Sequence, residues 1–190
     1  MRRPRRGGMI APGTRGGGPK DVLLRSLALV GALLLPACVE RKPATVAFSA
    51  EEAAFIRKPG TGVIVGHAFR TKPSGAVVNA AGEVVRLVPA TAFARERFAN
   101  LYGKRKYIPH SAYPRDDAVD PAYSDYTRTT KAESNGRFVF DKVAPGSYFL
   151  TTQVIWGDEA AFSREGGSVY DSVTLTGKET EPVQVILSGN

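Results

Sequence analysis

Two histidines, a single cysteine and one cluster of aspartates are the groups from which this 190-residue chain could build reactive chemistry. A catalytic zinc needs three protein ligands held together. His67 and His110 stand alone, with neither a His-x-His pair nor a His-Glu-x-x-His run around them. The first falls in an alternating, strand-like stretch and the second between Pro109 and Ser111, so they read as one strand histidine and one loop histidine. Asp116, Asp117, Asp120 and Asp125 could offer calcium the oxygen ligands it takes, but their spacing matches no EF-hand loop. Lys104, Arg105, Lys106 and Arg115 lie nearby, and such a mixed run reads as a solvated face. No Gly-x-Ser-x-Gly elbow and no phosphate-cradling glycine loop occurs. The sequence points to no catalytic residue, no metal and no cofactor, and to a protein that is not an enzyme.

Aromatic side chains are the richer signal. Tyr102, Tyr107, Tyr113, Tyr123 and Tyr126 are interleaved with prolines in one segment, and Trp156 precedes Gly157-Asp158-Glu159. Tyrosine joins a flat apolar face to a polar tip at modest entropic cost, which suits the recognition of sugars or proteins. Tyr107, Tyr113, Tyr123 and Trp156 are therefore the candidate ligand-binding residues. The competing reading is structural: the rings pin a long loop to the domain, and Trp156 closes the end of a strand.

These residues need elements to hold them. Ser49-Ala50-Glu51-Glu52 has capping-box spacing and predicts a short helix through Phe55, ended before Pro59-Gly60. From Val63 the texture is that of strands, with Val63, Val65, His67 and Phe69 alternating on one face. Ala76–Val78 and Val84–Val88 follow, with a turn at Ala81-Gly82-Glu83. Thr91–Tyr102 predicts a helix whose Ala94, Phe98, Leu101 and Tyr102 share a face, with Gly103 past its end. Lys104 to about Ser124 shows no period. Strands resume at Tyr126–Glu133, Arg137–Phe140, Tyr148–Trp156, Ser168–Thr176 and Val183–Leu187, and Asn135-Gly136 reads as a hairpin turn with two positive φ angles. Seven or eight short strands separated by turn chemistry predict a β-sandwich.

Glu133-Ser134-Asn135-Gly136-Arg137-Phe138-Val139-Phe140, followed by Val143-Ala144-Pro145-Gly146-Ser147-Tyr148-Phe149-Leu150, resembles the carboxypeptidase regulatory-like domain. The resemblance runs from about Gly60 to Leu187. It implies an all-β fold, a seven- to eight-stranded Greek-key sandwich of transthyretin type, and an accessory module without catalytic residues. Relatives of that family include carbohydrate-binding-like folds. Two enzyme families with similar sandwiches fit poorly: the chain ends Leu187-Ser188-Gly189-Asn190 rather than in the Tyr-Arg-Gly-Ser-like tail of hydroxyisourate hydrolases, and it lacks the His-x-His pair of intradiol dioxygenases. The stretch between Val88 and Tyr126 is longer than a minimal sandwich needs and reads as a helix-containing insertion.

The formal charge of +8 does not signal nucleic acid, because it is concentrated at one end. Residues 1–37 carry seven bases and one acid, whereas residues 38–190 carry nineteen and seventeen. Ser26–Leu35 is an uncharged apolar run after Arg25, too short to span a hydrocarbon core at ~1.5 Å per residue, and fits a signal peptide. Leu35-Pro36-Ala37-Cys38 resembles the lipobox of bacterial lipoproteins, which implies cleavage before Cys38 and lipidation of its thiol. Val39, where aspartate retains some lipoproteins in the inner membrane, favours the outer membrane and the periplasmic side. The expected organisation is a leader over 1–37, whose glycine- and proline-rich first 21 residues suggest a true start near Val22. A lipidated tether with a short helix follows over 38–59, and the sandwich occupies 60–190. The expected function is a non-catalytic binding or structural module of the cell envelope. Its alternatives are a carbohydrate- or peptidoglycan-binding module and an accessory subunit of an envelope complex. Expected partners are the membrane, through the lipid, and a glycan or envelope protein, with no nucleic acid.

Overall fold

A computed structural model describes residues 45–114, 120–157 and 164–190. Cys38, the leader, Asp116, Asp117, Asp158 and Glu159 lie outside the described residues.

The chain enters through α1 (Ala50–Ala53), where the Ser49 hydroxyl accepts from the Glu52 N–H at 3.2 Å, and runs on as a 3₁₀ turn over Ala54–Arg57. The expected helix is there, but Glu52 does not turn back to its own cap. Its carboxylate accepts from the N–H of Ala92 at 2.8 Å, one of the unpaired donors at the start of the next helix.

Nine strands then form two sheets among the described residues. In the smaller sheet β1 (Gly62–Thr71) pairs antiparallel with β6 (Arg137–Val143) and parallel with β9 (Val183–Leu187), while β2 (Val77–Asn79) pairs with its far end. The larger sheet is antiparallel, in the order β4 (Tyr107–Pro109), β8 (Glu165–Leu175), β7 (Gly146–Trp156), β3 (Val84–Pro89), β5 (Arg128–Lys131). The links β2–β3, β5–β6, β6–β7 and β8–β9 each cross from one sheet to the other. The all-β sandwich expected from the sequence is the observed fold. The additional strand, β4, lies in the stretch without periodicity, since three residues are too few to show alternation.

Between the sheets Ile64, Val85, Leu87, Phe138, Phe140, Tyr148, Leu150, Val154 and Leu187 form the buried core. The motif residues Phe138, Phe140, Tyr148, Leu150 and Val154 point inward as their alternation requires. Tyr148 also donates its hydroxyl to the Ala144 carbonyl at 2.8 Å, which explains a tyrosine three residues after Pro145. That burial pushes its pKa up to about 12.

Two local expectations are corrected. The core face of β1 is Gly62, Ile64, Gly66 and Ala68, not Val63, Val65, His67 and Phe69; His67 is exposed and bonds to the Asn135 carbonyl at 2.5 Å. The reason is volume. Gly66 faces Phe138 on β6, and a Cβ at Gly66 would sit inside the Phe138 ring, so the large partner occupies the space that the small residue leaves. Nor does Asn135-Gly136 close a hairpin, because β5 and β6 belong to different sheets. Only Gly136 takes a positive φ, +83°; Asn135 uses its side-chain oxygen to accept the Arg137 N–H at 2.9 Å.

A groove between the insertion helix and the larger sheet

The insertion builds a second core on the outside of the five-stranded sheet. Its helix α2 (Ala92–Tyr102) is capped by Thr91, whose hydroxyl accepts from the Ala94 N–H, and ends at Gly103, φ +60°. The predicted face is the buried one: Ala94, Phe98 and Tyr102 are buried and Leu101 half-buried. Phe98 stacks on Phe149 of β7 at 4.4 Å, and Tyr102 lies 4.3 Å from the Tyr170 ring of β8. Val88 and Ile108 complete this cluster.

The helix covers only part of the sheet's outer face. Beyond it the outward positions turn polar. Arg86 on β3 lies between Thr151 on β7 and Thr129 on β5, and Gln153, two residues along β7, faces Ser168 on β8. With Tyr102 and Arg97 from α2 on one side and Tyr113 and Tyr123 on another, this floor bounds a groove of about 440 Å³, a size that suits a small ligand.

The floor is fixed by a hydroxyl cluster. Tyr102 Oη lies 2.7 Å from Ser168 Oγ and 3.1 Å from Thr151 Oγ1. Thr151 in turn donates to the Val169 carbonyl at 3.0 Å and Ser168 to that of Thr152 at 3.2 Å. Burial pushes the Tyr102 phenol up to about 12, so it stays a neutral hydrogen-bonding group at physiological pH. Among the described residues no group of three His, Cys, Asp or Glu side chains could hold a metal.

The four aromatic candidates do not converge. Tyr113 and Tyr123 line the groove, whereas Tyr107 and Trp156 line a separate recess of about 480 Å³ near the ends of β1 and β7. In that recess the ring faces are already covered. The Arg70 guanidinium lies 4.0 Å above Tyr107, whose hydroxyl donates to the Gly166 carbonyl at 2.8 Å. Trp156 has Lys72 Nζ 5.3 Å from its ring centre, and lies against Gly166, where any side chain would strike the indole. Tyr123 meets Phe48 and Phe93 edge-to-face at 5.9 and 5.3 Å, so it pins the insertion and the entering chain together. Tyr113 is different: it packs on the second core, but its hydroxyl makes no hydrogen bond and its ring meets no other ring among the described residues.

Sequence reasoning missed the floor. Arg86, Thr129, Thr151 and Gln153 occupy alternate strand positions where polar residues ordinarily face solvent, and nothing local says that a helix will rise beside them. His110 lines the Trp156 recess and His67 a shallow apolar one of about 430 Å³ on the smaller sheet, so the histidines do not meet.

Fold and groove together define an all-β sandwich with a helical insertion and a preformed polar cleft on its larger sheet. No family model and no curated protein matches the chain. Solved structures do match it, among them a Pseudomonas aeruginosa protein described as a candidate carbohydrate-binding protein. The two are 28% identical, the match covers 74% of this chain and 97% of the other, and the TM-score is 0.61.

Proposed function

We propose that this protein is a non-catalytic glycan-binding module of the cell envelope, anchored on the periplasmic side of the outer membrane by a lipid on Cys38. The observation that carries the binding reading is the groove: a rigid floor of hydroxyl, amide and guanidinium groups beside Tyr113, whose ring has no aromatic partner. Sugars present hydroxyls to such a floor and C–H faces to such a ring. The likeness to a candidate carbohydrate-binding protein supports the same reading. An accessory-subunit role would draw on the smaller sheet, where Ile186 is 60% exposed, but that face has less chemistry to recommend it.

The test is titration of the purified full chain with sacculi and a panel of soluble oligosaccharides. Saturable binding is expected, weakened about tenfold by Tyr113→Ala and by Gln153→Ala, as loss of one ring contact or one hydrogen bond implies. Trp156→Ala should leave the affinity unchanged. Binding that survives both groove variants, or no binding to any glycan, rejects the proposal. Incorporation of labelled palmitate, abolished by Cys38→Ala, tests the anchor separately.

A further inference from the structure

On the glycan reading above, two features of the groove narrow the class of sugar. The first is the direction of the hydrogen bonds in its floor. Thr151 and Ser168 both spend their protons on backbone carbonyls, and the Tyr102 proton is held within the cluster, 2.7 Å from Ser168 Oγ. The three hydroxyl protons are therefore taken up by the cluster and the carbonyls beneath it, which leaves the cluster lone pairs to offer a ligand, while the Gln153 amide opposite Ser168 can both donate and accept. A ligand that brings O–H donors to those lone pairs is matched here.

The second feature has the opposite sense. Arg86 stands exposed in the middle of the floor, between Thr129 and Thr151 on the flanking strands. Its guanidinium forms no ion pair or hydrogen bond with the described residues, and no carboxylate lines the groove among them. A guanidinium presents a planar fork of donors matched to a carboxylate. In the Trp156 recess, by contrast, Arg70 is packed on Tyr107 and committed to the Ser188 carbonyl.

We infer that the groove takes an acidic sugar of the uronic-acid class, its ring hydroxyls donating to the Tyr102–Ser168–Thr151 floor and its carboxylate accepting from Arg86. A neutral hexose satisfies the floor and leaves the fork empty, whereas a simple anion satisfies the fork alone.

The experiment compares trigalacturonate with its methyl ester, which keeps the sugar backbone and removes the charge. Both are titrated calorimetrically into the full chain and into its Arg86→Gln and Arg86→Lys variants, with neutral oligosaccharides alongside. The acid is expected to bind about tenfold more tightly than the ester, the lower end for a charge-assisted hydrogen bond. Arg86→Gln should erase that difference, and Arg86→Lys should restore part of it. Equal binding of acid and ester, an acid preference that survives Arg86→Gln, or binding of neutral glycans alone overturns the inference and leaves the glycan reading standing. If no glycan of any charge binds, both fall together.

Discussion

Tyr148 shows how much one residue of the central motif accomplishes. Its ring is fully buried beside Phe55, centroids 5.2 Å apart, and its hydroxyl serves the Ala144 carbonyl, which no water can reach in its place. Tyr148→Phe keeps the ring and orphans the carbonyl, so it should cost about 1–3 kcal/mol, read as a lower urea midpoint at unchanged m value. The same residue and Tyr102 set an alkaline limit. Both phenols ionise near 12 in the folded chain against 10 in the unfolded one. Between those values the unfolded state has lost protons that the folded state retains, so stability falls as pH rises from 10 towards 12. A spectrophotometric titration should show a late phenolate step that shrinks in Tyr102→Phe and in Tyr148→Phe. At this scale the inward residues of the motif were legible, because large apolar side chains two apart announce a buried face. The groove floor was not. Arg86 and Gln153 line a groove only through what the insertion places beside them.

Among the elements, the entering strap is held by more than its short helix. The Glu96 carboxylate of α2 accepts from the N–H of Thr45 at 2.9 Å, from its hydroxyl at 2.9 Å and from the N–H of Val46 at 2.8 Å. Phe48 then packs against Phe93, Tyr123 and Tyr126, and Arg57 lies 3.7 Å above the Tyr126 ring. Glu96→Ala should therefore speed hydrogen exchange at Thr45 and Val46 by at least tenfold while the amides of β7 stay protected. If β7 loosens too, the strap is part of the cooperative core and not a local attachment. The insertion's tyrosines divide in the same way: Tyr123 and Tyr126 fasten elements together, and Tyr113 lines the groove with no ring partner among the described residues. The helix and its buried face were legible from spacing and caps. Strand β4 and the strap were not, since their order comes from partners about fifty or more residues away in sequence.

Taken whole, the molecule has two cores sharing one sheet: the sandwich interior and the α2 cluster on the sheet's outer face. The fold class was legible because strand spacing and turn chemistry survive without knowledge of pairing. Pairing itself was not, and the apparent hairpin at Asn135-Gly136 proved to be a crossing between sheets. The parallel pairing of β1 with β9, Ile64 opposite Val183 through Ala68 opposite Leu187, joins the first strand to the last. A chain ending at Pro182 should fail to unfold cooperatively on heating, since it loses buried Val185 and Leu187 and uncovers one edge of β1. The same pairing sets a clock. At ~5–20 residues per second, β1 leaves the ribosome roughly ten seconds before its parallel neighbour has been made. The strands and crossings between them can collapse in that interval, but the smaller sheet still lacks β9. Wherever the chain folds, that edge of β1 stays unpaired until β9, the last of the described strands, is in place.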